Sequence, residues 1–273
     1  MPDDLGRREF LTSGVATTPA FLGLDWGPLA ENESPDTNDL EYDGDIPKFP
    51  DHITEVRDDI TELENYQPRL EIATQQARDD MQGMFGWSAD SSEHDVTAHY
   101  YWVRSYTQRS ILSYAGFGNV GPERHYLDHE PIIVFENPDG TVAKTVQSGG
   151  HHLAFAIDGE WGNLIEDRVA DRRTHVVLRQ IRPWNHFVEA EATADGEWVQ
   201  GFADFGSWLA EYESWYRNGR YDKSSDVAVM DPFAFYPPDG RSYWWREGTW
   251  DAWAAQAIYS RRLPTADSLR YED

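Results

Sequence analysis

Apolar residues change their period twice along this chain. Ile53, Val56, Ile60 and Leu63 recur at three- to four-residue spacing behind Asp51, which predicts one short amphipathic helix that Pro68 stops. From Arg69 to Met84 two patterns compete. Ala73, Ala77, Met81 and Met84 fit a helix, whereas Tyr66 to Ile72 alternates as a strand. Beyond Asp95 the period falls to two. Val96 to Thr107, Pro131 to Glu136, Thr141 to Gln147 and His175 to Ile181 are rich in Val, Ile, Tyr, Phe and Thr and are bounded by Gly, Pro, Asn or Asp, as strands are. Asn137-Pro138-Asp139-Gly140 joins the second and third of these as a tight hairpin, with proline presetting φ and glycine supplying the left-handed residue. After Gly201 the helical period returns over Phe205 to Arg217 and over Thr249 to Arg262. The chain is therefore mainly β with added helices, an α+β pattern without internal repeats.

The hairpin organises the histidines. Four of the nine lie between positions 125 and 152. With Glu136 facing Thr141, Glu130 falls opposite Gln147, Asp128 opposite Gly149, and His151 returns beside Tyr126. Alternation then puts Asp128, Glu130 and His151 on one face, the two carboxylates about 7 Å apart at Cβ. His129 and His152 point the other way, and one bulge exchanges His151 with His152. With His125 these side chains offer imidazole nitrogens and carboxylate oxygens to a common point, the donor set of a divalent cation. The absence of thiolate favours magnesium or calcium ahead of manganese and zinc. The competing reading is a surface ion pair in a carboxylate-rich chain. Ser148 beside His151 and His152 lacks the G-x-S-x-G elbow of a serine hydrolase.

Charge changes what the carboxylates mean. There are 49 acidic against 23 basic residues, a net charge of -26 spread along the whole length. Such a surface suits molar salt, where self-repulsion is screened within about 3 Å, and points to an extreme halophile. Most acids are then solvated surface, and nucleic acid is excluded as a partner. Residues 1–29 carry Arg7-Arg8 ahead of a charge-free stretch from Leu11 to Leu24, the form of a twin-arginine export signal that places the protein outside the cell or at its surface; a cytoplasmic amphipathic N-terminus is the alternative. Residues 30–50 read as an acidic disordered linker and residues 51–273 as a single domain.

Aromatic residues make up 14 % of the chain. Trp208, Trp215, Tyr243, Trp244, Trp245, Trp250 and Trp253 lie mostly at helical spacing and read as packing between terminal helices and sheets. Trp184-Asn185-His186-Phe187 follows a strand as a loop, where Trp184 and His186 could line a cleft. His94 and His99 flank the start of the first long strand, and Asp95 and His99 are more distant pocket candidates. His52 reads as a helix-start residue without a role.

His125-x-x-Asp128-x-Glu130 followed by an apolar strand resembles the G-H-x-H-D-W-E segment of necrosis-inducing NPP1-like proteins and the H-x-G-D-W-E segment of Vps62-like proteins. Tyr100-Tyr101-Trp102-Val103 before it, Ser148 to His152 after it, then His175-Val176-Val177-Leu178 and His186, extend the resemblance, and Tyr66 to Leu70 resembles the Pro-x-Leu opening of the Vps62-like group. The likeness covers roughly positions 66 to 190. It implies an antiparallel β-sandwich with helices at its N-terminal edge and C-terminal end, and a divalent ion on His125, Asp128 and Glu130. It also favours a strand at Tyr66 to Ile72. The chain departs from the pattern where His129 replaces the tryptophan and Leu127 the second histidine, and Glu123 is the nearest carboxylate for the upstream acidic ligand. NPP1-like proteins are secreted cytolysins that bind membrane glycolipids. Three roles follow as expectations: a metal-dependent binder of lipid or glycan headgroups, a metal-assisted hydrolase acting outside the cell, or a non-catalytic structural protein of the envelope.

Overall fold

A computed structural model describes residues 48–72, 75–108, 125–150, 153–166, 172–181, 185–190, 196, 198, 230–237, 240–242 and 244. The export-signal region, most of the linker and both C-terminal helices expected from the sequence lie outside the described residues. The described chain is mainly β. In order it forms β1 (Ile53–Arg57), α1 (Ile60–Tyr66), β2 (Arg69–Glu71), α2 (Gln75–Asp80), β3 (Met81–Ser91), β4 (Thr97–Gln108), β5 (His125–Glu136), β6 (Val142–Gly150), β7 (Leu153–Asp158), β8 (Leu164–Glu166), β9 (Arg173–Ile181) and β10 (His186–Glu189), then a 3-10 turn at Pro232–Phe235. Six strands make an antiparallel sheet in the order β1-β3-β4-β5-β6-β7. In the second sheet β10 and β8 pair with successive stretches of β9, and β2 runs parallel to β9 along its other edge.

Both faces of the large sheet are covered, which is why its central strand reads as an unbroken apolar run. Ala98, Tyr100 and Trp102 of β4 join Phe85, Trp87, Ile133 and Phe135 in one cluster, closed by Met230, Phe233, Phe235 and Trp244 from the C-terminal segment. Tyr101 and Val103 turn the other way, onto Ile132 and Val134, where α1 contributes Leu63 and Tyr66 and the second sheet contributes Leu70, Val176, Leu178 and Phe187. Trp244 packs against Phe235 at 4.4 Å between ring centroids, so this aromatic belongs to the core.

Three local expectations are corrected. The stretch from Ile53 to Leu63 is a strand followed by a helix. A bulge between Ile53 and Glu55 turns Ile53 and Val56 toward the same core, and that three-residue spacing imitates a helical period. The helix itself starts at Asp59, whose carboxylate accepts the Glu62 N–H at 2.9 Å. Second, the ambiguous Arg69 to Met84 stretch divides into β2, α2 and the start of β3, so β structure begins well before Asp95. Third, the hairpin register differs. The N–H of Gly140 donates to Asn137 O at 2.9 Å and that of Asn137 to Thr141 O at 2.8 Å, with Gly140 at φ +83°. This is a turn closed by a glycine bulge, which pairs Glu136 with Val142 instead of Thr141, and a further register shift between Phe135 and Glu136 pairs Gln147 with Ile132 instead of Glu130. The net offset of two residues keeps every side chain beyond the bulge on its expected face.

Candidate functional site

Of the proposed ligands, Glu130 is described in full. It lies on the β5 face that meets the second sheet, 6 % exposed, paired through the backbone with Val103. Opposite it stands His186. The sequence suggested a loop and a cleft here, but His186 opens β10 and is 3 % exposed, with Nε2 at 3.6 Å from Glu130 Oε1. Asn185 before it takes φ +58°, the left-handed conformation that Asn tolerates better than most residues, and its side-chain oxygen accepts from Gln180 Nε2 at 3.3 Å. The side-chain oxygens of Gln147 and Gln180 are buried and have no hydrogen-bond partner among the described residues. The backbone of His125, Asp128 and His129 runs through β5, two-residue alternation placing Asp128 beside Glu130 on the strand. The side chains of these three residues, and Glu123, His151, His152 and Trp184 altogether, lie outside the described residues. Among the described residues no three His, Asp or Glu side chains converge as a cation cage.

His99 and Asp95 sit at the other end of β5's partner strand. Asp95 is exposed in the turn between β3 and β4. His99 is completely buried, facing the core from β4, and is held on three sides. Its Nδ1 meets Ser88 Oγ at 3.1 Å, its Nε2 meets Glu136 Oε2 at 2.9 Å, and its ring stacks on Tyr66 at 4.3 Å and 7°. An ionised carboxylate only accepts, so Nε2 carries the proton in this bond. Burial alone would raise the Glu136 carboxyl, but hydrogen bonds from His99 and Tyr66 outweigh it and hold the group below the ordinary carboxylate range. Burial pushes the Tyr66 phenol up, and Glu136 adds to the effect. The hydroxyl of Tyr66 also lies 3.2 Å from Gly140 O, so its one proton is shared between that carbonyl and the Glu136 carboxylate, tying α1 to the hairpin. Beside this network Arg57 clamps Glu62 and Asp90 with contacts of 2.6 to 3.2 Å. Ser88, His99 and Glu136 imitate the hydrogen-bond order of a hydrolytic triad. The serine and histidine are both sealed in the core, however, and only the acid reaches water, so no substrate can meet the hydroxyl. This is a fastening between α1, β3, β4 and β5.

A third cluster has no counterpart in the sequence reading. His52, just before β1, has Nδ1 at 3.0 Å from Ser91 Oγ and Nε2 at 3.2 Å from Asp231 Oδ2, while Asp231 Oδ1 accepts the Phe233 N–H at 3.0 Å. His94 lies parallel to Phe233 at 5.4 Å and edge-on to Tyr236 at 5.6 Å. No sequence signal brought these residues together: Ile53 to Leu63 read as a helix, whereas the antiparallel pairing of β1 carries His52 to the exit of β3, and Asp231 follows 179 residues later.

Comparison with family models, with curated proteins and with solved structures finds no match for this chain. No helix among the described residues is long and apolar enough to cross a membrane.

Proposed function

We propose that this chain is an exported, salt-adapted β-sandwich protein that holds one divalent cation around Glu130 and uses it to bind lipid or glycan headgroups. The observation that carries the reading is the buried Glu130–His186 contact. A cation would add to the contacts that hold a carboxylate withdrawn from water, and two buried amide oxygens, of Gln147 and Gln180, with no hydrogen-bond partner among the described residues, lie on strands that meet the same core. Carboxylate, amide oxygen and imidazole together suit a hard or borderline ion, so magnesium or calcium is the expected occupant. Glu130 would hold it with Asp128 and His125, the set that the resemblance to NPP1-like proteins implies, and with one of His151 and His152, which the hairpin reading adds. His186 stands close enough to orient Glu130 or to join it. When bound, the ion supplies a positive centre for the oxygens of a phosphate or sugar. The acidic composition and the Arg7-Arg8 leader support export into brine.

Elemental analysis of protein purified in concentrated salt tests this, with wild type beside Asp128→Ala and Glu130→Gln. The expected result is about one divalent ion per chain in the wild type and substantial loss in both variants. Equal, negligible metal in all three would discard the reading. Co-sedimentation with phospholipid and glycolipid vesicles, with and without EDTA, then tests the headgroup role: pelleting that ignores EDTA counts against it.

A further inference from the structure

The cavity beside His52 is formed by three distant parts of the chain: His52 before β1, Glu93 and His94 in the turn after β3, and the segment from Asp231 to Arg241. Its volume, about 390 Å³, falls within the roughly 300–1,000 Å³ of small-molecule sites. We propose that it binds a small, neutral, polyhydroxylated ligand of the sugar class, independently of the cation.

The walls are fixed before any ligand arrives. His52 bridges Ser91 and Asp231, and Asp231 is pinned again by the Phe233 N–H, so both nitrogens of His52 and both oxygens of Asp231 are engaged. Ser91 stands behind His52, outside the cavity lining, and acts as a support. The groups that line the rest of the cavity are different. The ring nitrogens of His94 make no hydrogen bond among the described residues, although its ring is held by Phe233, Tyr236 and, at 6.3 Å, His52. The Glu93 carboxylate accepts, Arg241 donates, and Tyr236 lines the opening with a ring and a hydroxyl.

The mixture selects the ligand class. A guanidinium and two carboxylates in one small space disfavour a strongly charged ligand of either sign. The chemistry they do suit is alternating hydroxyl donors and acceptors on a saturated ring, with aromatic faces to cover its C–H side. Such recognition rests on contact hydrogen bonds and packing, which survive salt that screens charge beyond about 3 Å. A cation is the poorer fit, because the nitrogens of His52 are already taken and no three ligating side chains converge among the described residues.

Isothermal titration in concentrated KCl with glucose, galactose and mannose, and with acetate and glycine betaine as charged and zwitterionic comparators, tests the assignment. The expected result is saturable binding of at least one hexose, weakened about tenfold or more by His94→Ala, and by Glu93→Gln at unchanged unfolding midpoint, and unaffected by EDTA or Asp128→Ala. The last two arms separate this site from the cation site. Glu93→Gln alters an exposed side chain that makes no hydrogen bond or ion pair among the described residues, so its effect on binding is read in a folded protein. Absence of saturable hexose binding, equal binding by both variants, or tighter binding of acetate or betaine than of every hexose would overturn the proposal.

Discussion

Replacing His99 with leucine tests whether the buried network fastens the fold. The substitution keeps roughly the same volume but deletes three contacts. The Ser88 hydroxyl, fully buried, loses its hydrogen bond from 3.1 Å, a cost of about 1–3 kcal/mol for an unsatisfied buried group. The charge-assisted bond to Glu136 at 2.9 Å is worth about 1.5–3 kcal/mol, toward the lower end because that carboxylate is 25 % exposed and can recruit water. Loss of the Tyr66 stack adds about 0.5–1.5 kcal/mol. Burying an apolar side chain returns about 1.5–3 kcal/mol, leaving a net destabilisation of about 3 kcal/mol, a large part of the roughly 5–15 kcal/mol that a domain commands. Denaturant unfolding followed by tryptophan fluorescence, at constant high salt and neutral pH, measures it. Adding Ser88→Ala removes the stranded hydroxyl, so the double variant should recover about 1 kcal/mol or more over the single one. A single variant within about 0.5 kcal/mol of wild type, or a double variant less stable than the single, would refute the accounting.

Two further outcomes follow from the same end of the sheet. Gly140→Ala places a side chain at φ +83° and against the Arg172 guanidinium, so it should destabilise by about 1–2 kcal/mol in the same unfolding assay, more than an alanine at an ordinary exposed turn position. Glu136 and Asp90 are both held below their ordinary values of 4.5 and 3.8, in each case because hydrogen bonds outweigh burial. Depressed acids stabilise the fold above those values and cease to do so as pH falls through their folded values. Unfolding midpoints should therefore drop from about pH 4.5 downward, and Glu136→Gln should flatten that slope while lowering the neutral-pH midpoint; an unchanged slope contradicts the role given to Glu136.

How much could be read from the sequence depended on the range of the forces involved. The Asn137 to Thr141 turn was legible because Pro138 and Gly140 dictate it locally, and β4, β5 and β9 were legible because β-branched and aromatic runs have few other uses. Their register was not, since a bulge at Gly140 and a second shift between Phe135 and Glu136 move the pairing by two residues, and the second leaves no compositional trace. Nor was β3, where Met81-Gln82-Gly83-Met84 carries little strand propensity and extends because β4 pairs with it. Glu130 and His186 were both candidates from residue type alone, but their approach to 3.6 Å depends on β10 docking against β6. His52 looked inert because its partner Asp231 lies 179 positions away.

The geometry also separates the three imidazole clusters for experiment. Asp90, Thr97 and Glu136 pair across β3, β4 and β5 at one end of the large sheet, where His99 occupies the face under α1 and the second sheet. His52 and His94 lie at that same end but belong with Phe233, on the opposite face. Glu130 precedes Glu136 by six residues of extended chain, a distance of about 20 Å. Sites so far apart, with no shared partner, should contribute additively. His99→Leu combined with Asp128→Ala should therefore show the sum of the two single destabilisations within about 0.5 kcal/mol, and His99→Leu alone should leave the metal content of the folded protein unchanged. A coupling above about 1 kcal/mol would mean that β5 transmits strain along its length, and that the cation site is built into the fastening of the fold rather than set apart from it.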